Sequence, residues 1–224
     1  MPPHKQTQWK DTTREPLMGS VLLPCNWGRK LFYDHYDHLE NGMMLFDKYP
    51  VLEDECICMR RMTLDDADAL LELTQSEAVY RYEPTVLYEL RYDDKRTVIE
   101  RMDDECFKTH ESLLLGVYVG EGHNTFAGIA EVYDYNQETR EAYIGGRLHE
   151  RHWGQGIATH IIVLLKEYLF SCENIQTIRT HVMAQNAGSE ALMRKCGFIP
   201  DGETFMEDWG HGPVSTHSYY VSKS

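Results

Sequence analysis

The most informative segment of this 224-residue chain reads RHWGQGIA and spans residues 151–158. It lies between a predicted strand at 140–148 and a predicted amphipathic helix at 155–170. Gly154 and Gly156 carry no side chain, so the backbone N–H groups of this loop can approach a ligand closely. The helix that follows adds its unpaired N–H groups and the positive end of its dipole. The segment therefore predicts a pyrophosphate-binding loop, with an ordinary glycine-containing turn as the alternative.

Two other phosphate-binding motifs fit this segment less well. A Walker loop needs Gly-Lys followed by Ser or Thr, which the chain lacks. A dinucleotide fingerprint needs a third small residue where Thr159 stands. It also needs an acidic residue at the end of the next strand, where this chain reads His181-Val182-Met183.

Hydrophobic periodicity around the loop alternates between strand and helix patterns. Helical spacing follows a capping-box signature at Thr63, recurs at 95–108 and returns in a short helix at 187–196, which Gly197 ends. Seven strands are predicted, at 55–62, 112–119, 125–134, 140–148, 175–183, 198–207 and 214–222. Strands and helices interleaved in this order predict a mixed α/β fold.

Composition excludes several classes of protein. The chain has 22 lysine and arginine residues against 36 aspartate and glutamate residues, a formal net charge of −14. It therefore lacks the basic footprint with which proteins neutralise nucleic-acid phosphates, and no nucleic-acid partner is expected. Hydrophobic residues at 42% and aromatic residues at 11% argue against disorder. The apolar run 161–165 ends at Lys166, well short of the about 20 residues of a spanning helix, so no membrane segment is expected.

Cysteine and histidine spacing gives no sign of a disulfide framework or a metal centre. Six cysteines are scattered with no CxxC pair, and the start of the chain has no apolar signal-peptide core. We therefore expect reduced thiols and a cytoplasmic location. No histidines have the HExxH spacing of a zinc site, and Cys56-x-Cys58 lacks a second pair. The sequence predicts no metal, and we interpret His160 as a surface or packing residue.

The first 54 residues follow a different pattern from the rest. Prolines interrupt this segment, but it also contains Trp9, Trp27 and Phe46. Large aromatic side chains such as these argue against an entirely unstructured tail. We predict an N-terminal extension at 1–54 that packs on the main domain, 55–224, or on a partner subunit. The second case would make the protein a homodimer.

Short motifs stand in a fixed order along residues 55–222. The pattern Gln/Arg-x-x-Gly-x-Gly/Ala is matched by Arg151, Gly154 and Gly156. The other pieces are LDDADAL at 64–70, YRYEP at 80–84, YIG at 143–145, WGQGIAT at 153–159, NAGS at 186–189 and KCGF at 195–198. In this order they resemble the GNAT superfamily of acyl-CoA-dependent N-acetyltransferases, and more narrowly its RimJ/RimL-type branch, the ribosomal-protein N-acetyltransferases.

The resemblance implies a fold and an activity. The fold would be a mixed, mostly antiparallel sheet of about seven strands flanked by helices. The activity would be transfer of an acetyl group from acetyl-CoA to a primary amine, either a protein N-terminus or a small amine. The amine would attack the thioester directly in a ternary complex, without a metal.

The resemblance also implies which residues bind acetyl-CoA. Backbone at Gly146, Arg147 and Leu148 would bind the pantetheine arm. Asn186 would contact the same arm or cap the next helix, and Ser189 lies in the same motif. The pyrophosphate would be held by the loop residues Arg151, His152, Trp153, Gly154, Gln155, Gly156, Ile157 and Ala158.

Catalytic groups are harder to assign. Many relatives carry a proton-donating tyrosine where this chain has Met193, so Ser189 is the candidate donor to the thiolate, with a plain first-turn residue as the alternative. Glu141 is our first choice for the base and Glu131 the second, unless both only face solvent. Glu83 lies in an acidic stretch, 65–105, that could attract a cationic acceptor or simply form a solvated helix face.

Met193 also keeps a second hypothesis open. The chain could bind acyl-CoA as a non-catalytic sensor or scaffold with the same fold. For an enzyme without a strong base, a protein α-amine is the better acceptor, because its pKa of about 7.7–8.0 leaves more of it neutral than a lysine amine at about 10.4.

Overall fold

An eight-stranded sheet runs through the centre of the structure, a computed structural model that describes residues 43–210 and 212–223 and, of Glu203, only the backbone. Within these residues the order is β1-β2-β3-β4-β5-β6-β8-β7, and all neighbours are antiparallel except β5 and β6. The strands are β1 (Leu52–Glu53), β2 (Ile57–Arg60), β3 (Ser112–Val119), β4 (Thr125–Asn136), β5 (Glu141–Leu148), β6 (Thr177–Met183), β7 (Ile199–Asp208) and β8 (Pro213–Ser222). The predicted mixed, mostly antiparallel architecture is confirmed.

Five α-helices flank the described sheet: α1 (Ala67–Thr74), α2 (Glu77–Tyr80), α3 (Lys95–Met102), α4 (Ile157–Ser171) and α5 (Ala187–Lys195). Short 3-10 turns lie at Leu64–Asp66, Tyr88–Leu90, Glu121–His123 and Glu150–His152, and a π-helical turn at Asp103–Phe107. Most element bounds lie within about two residues of the predicted ones. The two-residue β1 and the four-residue α2 escaped prediction because they are too short to show a period.

Two apolar cores hold the sheet, one on each face. One core joins Ile161 and Leu165 of α4 with Ile144 of β5. The other joins Leu70 of α1 with Ile129 of β4. A fully buried apolar side chain of this size contributes about 1.5–3 kcal/mol, so packing on both faces keeps β4 and β5 in place.

The parallel pair β5 and β6 opens along its length. Only Glu141–Tyr143 pairs with Thr177–Arg179; beyond these residues β5 continues beside β4 alone, and β6 beside β8 alone. The edge of β5 that faces β6 therefore has no partner strand between 144 and 148. The first residues of α4 line this opening.

The N-terminal segment contributes to the core as far as it is described. Leu45, Phe46 and Leu52 are buried in the same core as α4. The predicted extension at 1–54 otherwise falls on residues 1–42, which lie outside the described residues. Among the helices of the described residues, none is long and apolar enough to cross a membrane.

Candidate active site

An open cleft of about 990 Å³ occupies the gap between β5 and β6. On one side it is lined by Gly154, Gly156 and Ile157 at the start of α4, and on another by Asn186 and Ser189 at the start of α5. The cleft thus contains two helix N-termini and an unpaired strand edge. Each of these presents backbone N–H groups to a ligand.

The loop before α4 is held in a shape that glycine permits. Gly154 has φ +72° and Gly156, the N-cap of α4, has φ +84°. Nothing lies within 4 Å of where a Cβ would stand at either position. Ile157 and Ala158 occupy the first helical positions, so their N–H groups have no acceptor inside the helix and are available at the cleft. A phosphate could occupy this space.

The structure brings most of the predicted cofactor residues to the cleft. Arg151 and Gln155 are exceptions: Arg151 pairs with Glu72 at 2.7 Å, and the Gln155 Nε2 donates to the Arg151 carbonyl at 2.8 Å. Their side chains are therefore engaged away from the cleft lining. The predicted cofactor residues that line the cleft are Gly146, Arg147, Leu148, His152, Trp153, Gly154, Gly156, Ile157, Ala158, Asn186 and Ser189.

Trp153 ties the loop to the end of β5. Its indole Nε1 donates to the Leu148 carbonyl at 2.8 Å, while half of the residue stays exposed at the cleft. His152 also lines the cleft, and burial together with the Arg151 charge lowers the pKa of its imidazole. The neutral ring is therefore favoured at physiological pH.

A buried charge group, here called the Arg147 cluster, stands beside the loop. The Arg147 guanidinium lies 2.7 Å from Glu89 Oε1 and donates to Glu131 Oε2 at 2.9 Å. A third carboxylate, Glu83 Oε2, lies 4.0 Å from Arg147 Nη1. Arg147, Glu131 and Glu83 line the cleft, while Glu89 is fully buried beneath it. A single guanidinium group thus lies beside three carboxylates.

The excess of carboxylates over cations in the Arg147 cluster controls the protonation of its carboxyl groups. Burial raises the pKa of Glu83 to about 8, against the opposing pull of Arg147 and with help from the charges of Glu89 and Glu131. Burial also raises the pKa of Glu131. Three carboxylates around one guanidinium repel one another, so Glu83, with its raised pKa, keeps its proton near neutral pH. A second cation in the cleft would favour the ionised form.

The structure corrects the expected position of Glu141. This residue lies in the part of β5 that is still paired with β6, outside the residues that line the cleft. Its carboxylate accepts a hydrogen bond from Arg179 Nε at 2.9 Å, and Arg179 also contacts Asp201 at 3.3 Å. Glu141 therefore does not lie beside the unpaired strand edge. Glu131, the second choice, does line the cleft, but Arg147 binds its carboxylate.

The start of α5 combines a hydroxyl with an apolar neighbour. Asn186 Oδ1 accepts the N–H of Ser189 at 3.1 Å, so Asn186 caps the helix and lines the cleft at once. Ser189 places a hydroxyl group in the cleft lining. Met193, one turn further on, is buried there and has no proton to donate.

Two distant segments meet at another part of the lining. The Thr85 N–H donates to the Trp209 carbonyl at 2.8 Å, and Trp209 Nε1 donates to Glu207 Oε2 at 2.8 Å. Gly210 lies so close that a Cβ there would stand 1.7 Å from Thr85 Oγ1. The loop after α2 and the β7–β8 turn therefore form one connected wall, which includes Tyr82, Pro84, Leu87 and Trp209 of the lining.

The charge of the lining favours a cationic ligand. Its two guanidinium groups are both engaged by carboxylates, Arg91 by Glu111 and Arg147 by its cluster. Six carboxylates line the same cleft: Glu83, Glu111, Glu131, Asp134, Glu207 and Asp208. These carboxylates come from several elements, and of the six only Glu83 and Glu131 were singled out from the sequence.

Comparison with known proteins identifies the relatives of the chain. A sequence model of the acetyltransferase (GNAT) domain matches residues 57–199. The uncharacterized N-acetyltransferase YoaA of Bacillus subtilis (strain 168) is 27% identical over 192 residues, which cover 78% of this chain and 98% of YoaA.

Two solved structures share the fold. RimL, a ribosomal L7/L12 alpha-N-protein acetyltransferase solved with coenzyme A, has a TM-score of 0.64 at 16% identity, covering 75% of this chain and 95% of RimL. Spermidine N-acetyltransferase from Vibrio cholerae, solved with CoA and spermine, has a TM-score of 0.62 at 20% identity, covering 75% of this chain and 96% of that enzyme. The predicted fold is confirmed.

Proposed function

Because the chain belongs to the GNAT acetyltransferase family, we propose that it transfers an acetyl group from acetyl-CoA to a primary amine by direct attack in a ternary complex. One observation carries this proposal: a single cleft holds the open start of α4 together with the Arg147 cluster. The first feature suits an anionic pyrophosphate and the second a cationic amine. The reaction requires no metal.

The chain's own groups fit acetyl-CoA along the length of the cleft. Backbone N–H groups between 154 and 158 would hold the pyrophosphate, in the space that a side chain at Gly154 or Gly156 would fill. The pantetheine arm has amide groups, and the unpaired edge of β5 at 146–148 offers matching N–H and C=O groups. Asn186 and Ser189 would face the arm from α5.

The Arg147 cluster would receive the acceptor. An ammonium group beside Glu83 supplies the second cation that the three carboxylates lack. The bound ammonium favours the ionised form of Glu83, whose pKa in the empty cleft is about 8, so Glu83 releases its own proton to solvent and then accepts the proton of the ammonium. The neutral amine attacks the thioester carbon, the C–N bond forms, and the C–S bond breaks with its electron pair going to sulfur. Ser189 would donate a proton to the thiolate and recover one from the attacking nitrogen, which loses its extra proton as the amide forms.

Both classes of acceptor remain compatible with this cleft. The acidic lining attracts any cation, and a pKa near 8 at Glu83 matches the pKa of about 7.7–8.0 of a protein α-amine. Two solved structures with the same fold cover both classes, an alpha-N-protein acetyltransferase and a spermidine N-acetyltransferase. A non-catalytic acyl-CoA sensor is disfavoured, because a sensor needs no proton acceptor at the reacting end of the cleft.

Turnover with an amine panel tests the proposed function. The purified full chain would be incubated with acetyl-CoA and with spermidine, spermine or peptides with free N-termini, and release of free CoA thiol would be followed. The same peptides with acetylated N-termini and no lysine serve as matched controls. Thiol release with any free amine but not with its blocked control supports the enzyme. Tight acetyl-CoA binding without turnover across the panel supports the sensor.

Ser189→Ala is expected to lower kcat by about 100-fold, at the lower end of what a general acid contributes. The variant removes the hydroxyl but leaves the Ser189 N–H, which binds Asn186, and the lining of the cleft unchanged. Acetyl-CoA affinity, measured by calorimetry, should therefore stay close to wild type. Ser189→Thr keeps a hydroxyl and should recover most of the loss. Equal kcat in Ser189→Ala and wild type would rule out Ser189 as the proton donor.

Gly210→Ala is expected to raise the KM for the amine about tenfold, the equivalent of about 1.4 kcal/mol of binding, with the KM for acetyl-CoA unchanged. The new Cβ would displace Thr85 and the wall that Thr85 and Trp209 form. Gly212→Ala is the matched control, because Gly212 also has positive φ but nothing lies within 4 Å of its Cβ position. Steady-state kinetics that change equally in both variants would show that the wall does not border the acceptor.

The cellular location and the oligomeric state are also part of the proposal. We propose a cytoplasmic location, where acetyl-CoA is available as the co-substrate. The extension at 1–54 would fold back on the domain or join two subunits into a homodimer. Sedimentation of the full chain, compared with that of a chain starting at residue 43, measures whether the extension is needed for dimer formation.

A further inference from the structure

Three potential metal ligands meet near the start of α4, outside the lining of the acetyl-transfer cleft. Asp54 and Cys56 come from the turn before β2, and His160 comes from the first turns of α4. A carboxylate oxygen, a thiol sulfur and a ring nitrogen from these residues all lie within 4.8 Å of one another. None of the three residues lines the cleft. All three side chains are half-buried, so solvent can still reach them.

The surrounding backbone already fixes two of the three ligands. Asp54 Oδ1 accepts the N–H groups of Cys56 at 2.7 Å and Ile57 at 2.9 Å, and the Asp54 N–H donates to the Ile57 carbonyl at 3.0 Å. This leaves Oδ2 to face His160 Nδ1, at 2.6 Å. His160 is carried by α4, whose core side is buried. Ligands held by a turn and a helix lose little freedom when a metal binds.

We propose that Asp54, Cys56 and His160 bind a Zn²⁺ ion that takes no part in acetyl transfer. Thiolate sulfur, imidazole nitrogen and carboxylate oxygen are the donors that Zn²⁺ prefers, at about 2.0–2.3 Å in tetrahedral geometry. A water molecule completes the fourth position, as it does wherever three protein groups bind zinc. On binding, Cys56 releases its thiol proton to solvent, and the hydrogen bond between Asp54 Oδ2 and His160 Nδ1 is replaced by a bond from each atom to the ion, with the ring proton of the neutral imidazole carried on Nε2; no group is oxidised or reduced.

A second group of potential ligands competes with this assignment. Glu53, Cys58 and His123 also lie close together, across the β1–β2 pair. Cys58 is buried, whereas Cys56 is half-buried and can be reached by an ion from solvent. Cys56 is therefore the better placed ligand. Cys58→Ser therefore provides a matched control for Cys56→Ser.

The proposed ion would connect two parts of the chain that lie 106 residues apart in sequence. It would join the turn before β2 to α4, one turn after Gly156, the N-cap that lines the cleft. Zinc should therefore stabilise the fold without being needed for acetyl-CoA binding. A chain that binds acetyl-CoA but no zinc would therefore contradict the zinc site alone. A chain that binds zinc but does not transfer the acetyl group would contradict the proposed function alone.

Zinc titration of the full, tag-free and reduced chain tests the proposal. We expect one Zn²⁺ to bind by calorimetry and saturating Zn²⁺ to raise Tm by about 5–10 °C, as ligand at about 100 times its Kd does for a chain of this size. Cys56→Ser and His160→Gln should each weaken binding at least about tenfold. Cys58→Ser should bind zinc as wild type does. Co²⁺ should give the absorption of a cobalt–thiolate bond in wild type and Cys58→Ser but not in Cys56→Ser.

Several results would overturn the proposal. They are no zinc binding by the reduced wild type, undiminished binding in Cys56→Ser and His160→Gln, or loss of binding in Cys58→Ser alone. Circular dichroism and acetyl-CoA affinity report whether each variant is folded. If Cys56→Ser failed to fold, His160→Gln, on the solvent-accessible side of α4, would decide the question by the same titration.

Discussion

Gly156→Val and Gly154→Val are each expected to weaken acetyl-CoA binding by about 100-fold or more. The space that a Cβ would fill at these positions is the space through which backbone N–H groups reach the cleft. Hydrogen bonds to a charged group contribute about 1.5–3 kcal/mol each, so losing one or two of them to the pyrophosphate accounts for this loss. Calorimetry with acetyl-CoA measures the change directly.

Backbone strain must be separated from steric blocking in this experiment. Valine at φ +72° or +84° is strained whatever space surrounds it, at a cost of about 1–2 kcal/mol. Gly202→Val is the matched control: Gly202 has φ +83°, no neighbour within 4 Å of its Cβ position, and no place in the cleft lining. We expect Gly202→Val to lose stability but not affinity. Unchanged affinity in both loop variants, with the fold intact by circular dichroism, would refute the pyrophosphate assignment.

The loop could be predicted from the sequence because its chemistry is local. Gly154 and Gly156 are adjacent to the helix whose N-terminus they open, and all three features lie within one short window. Element order could be predicted for the same reason, since periodicity of 2 or 3.6 residues is read within each element. Even here the start of α4 was placed two residues early, because Gly156 adopts the left-handed conformation and delays the helix.

The acceptor side could not be predicted because its contacts are distant in sequence. Arg147 meets Glu89 across 58 residues and Glu131 across 16. No spacing rule links these positions, so Arg147 was expected to contribute backbone only and Glu89 was not singled out at all. Glu141 was preferred as base for its nearness in sequence to the loop, but the strand direction carries it to the paired end of β5. Glu83 was recognised as acidic, but its protonation depends on burial that only the fold provides.

Glu83→Gln is expected to lower kcat by about 10²–10³-fold and to change how the rate depends on pH. A base must be unprotonated to act, so the wild-type rate at saturating amine should rise with pH, reach half of its maximum at about pH 8, the pKa of Glu83, and level off about one unit higher. A bound ammonium favours the carboxylate and can only move this midpoint lower. The variant lacks this base, so its rate depends on the fraction of the amine that is already neutral. With an amine of pKa about 10.4, its rate should keep rising about tenfold per pH unit to about pH 10.

Single-turnover acetylation of a lysine-like amine between pH 6 and 10 measures both curves. Glu141→Gln is the matched control, because it makes the same chemical change on a strand glutamate whose partner is Arg179 and which lies outside the cleft lining. Glu141→Gln should follow the wild-type profile, and acetyl-CoA affinity should be unchanged in both variants. If the rate of Glu83→Gln also levelled off where the wild-type rate does, another group would be the base. The ammonium would then need a different proton acceptor in the Arg147 cluster, and Glu131 would be the next residue to replace.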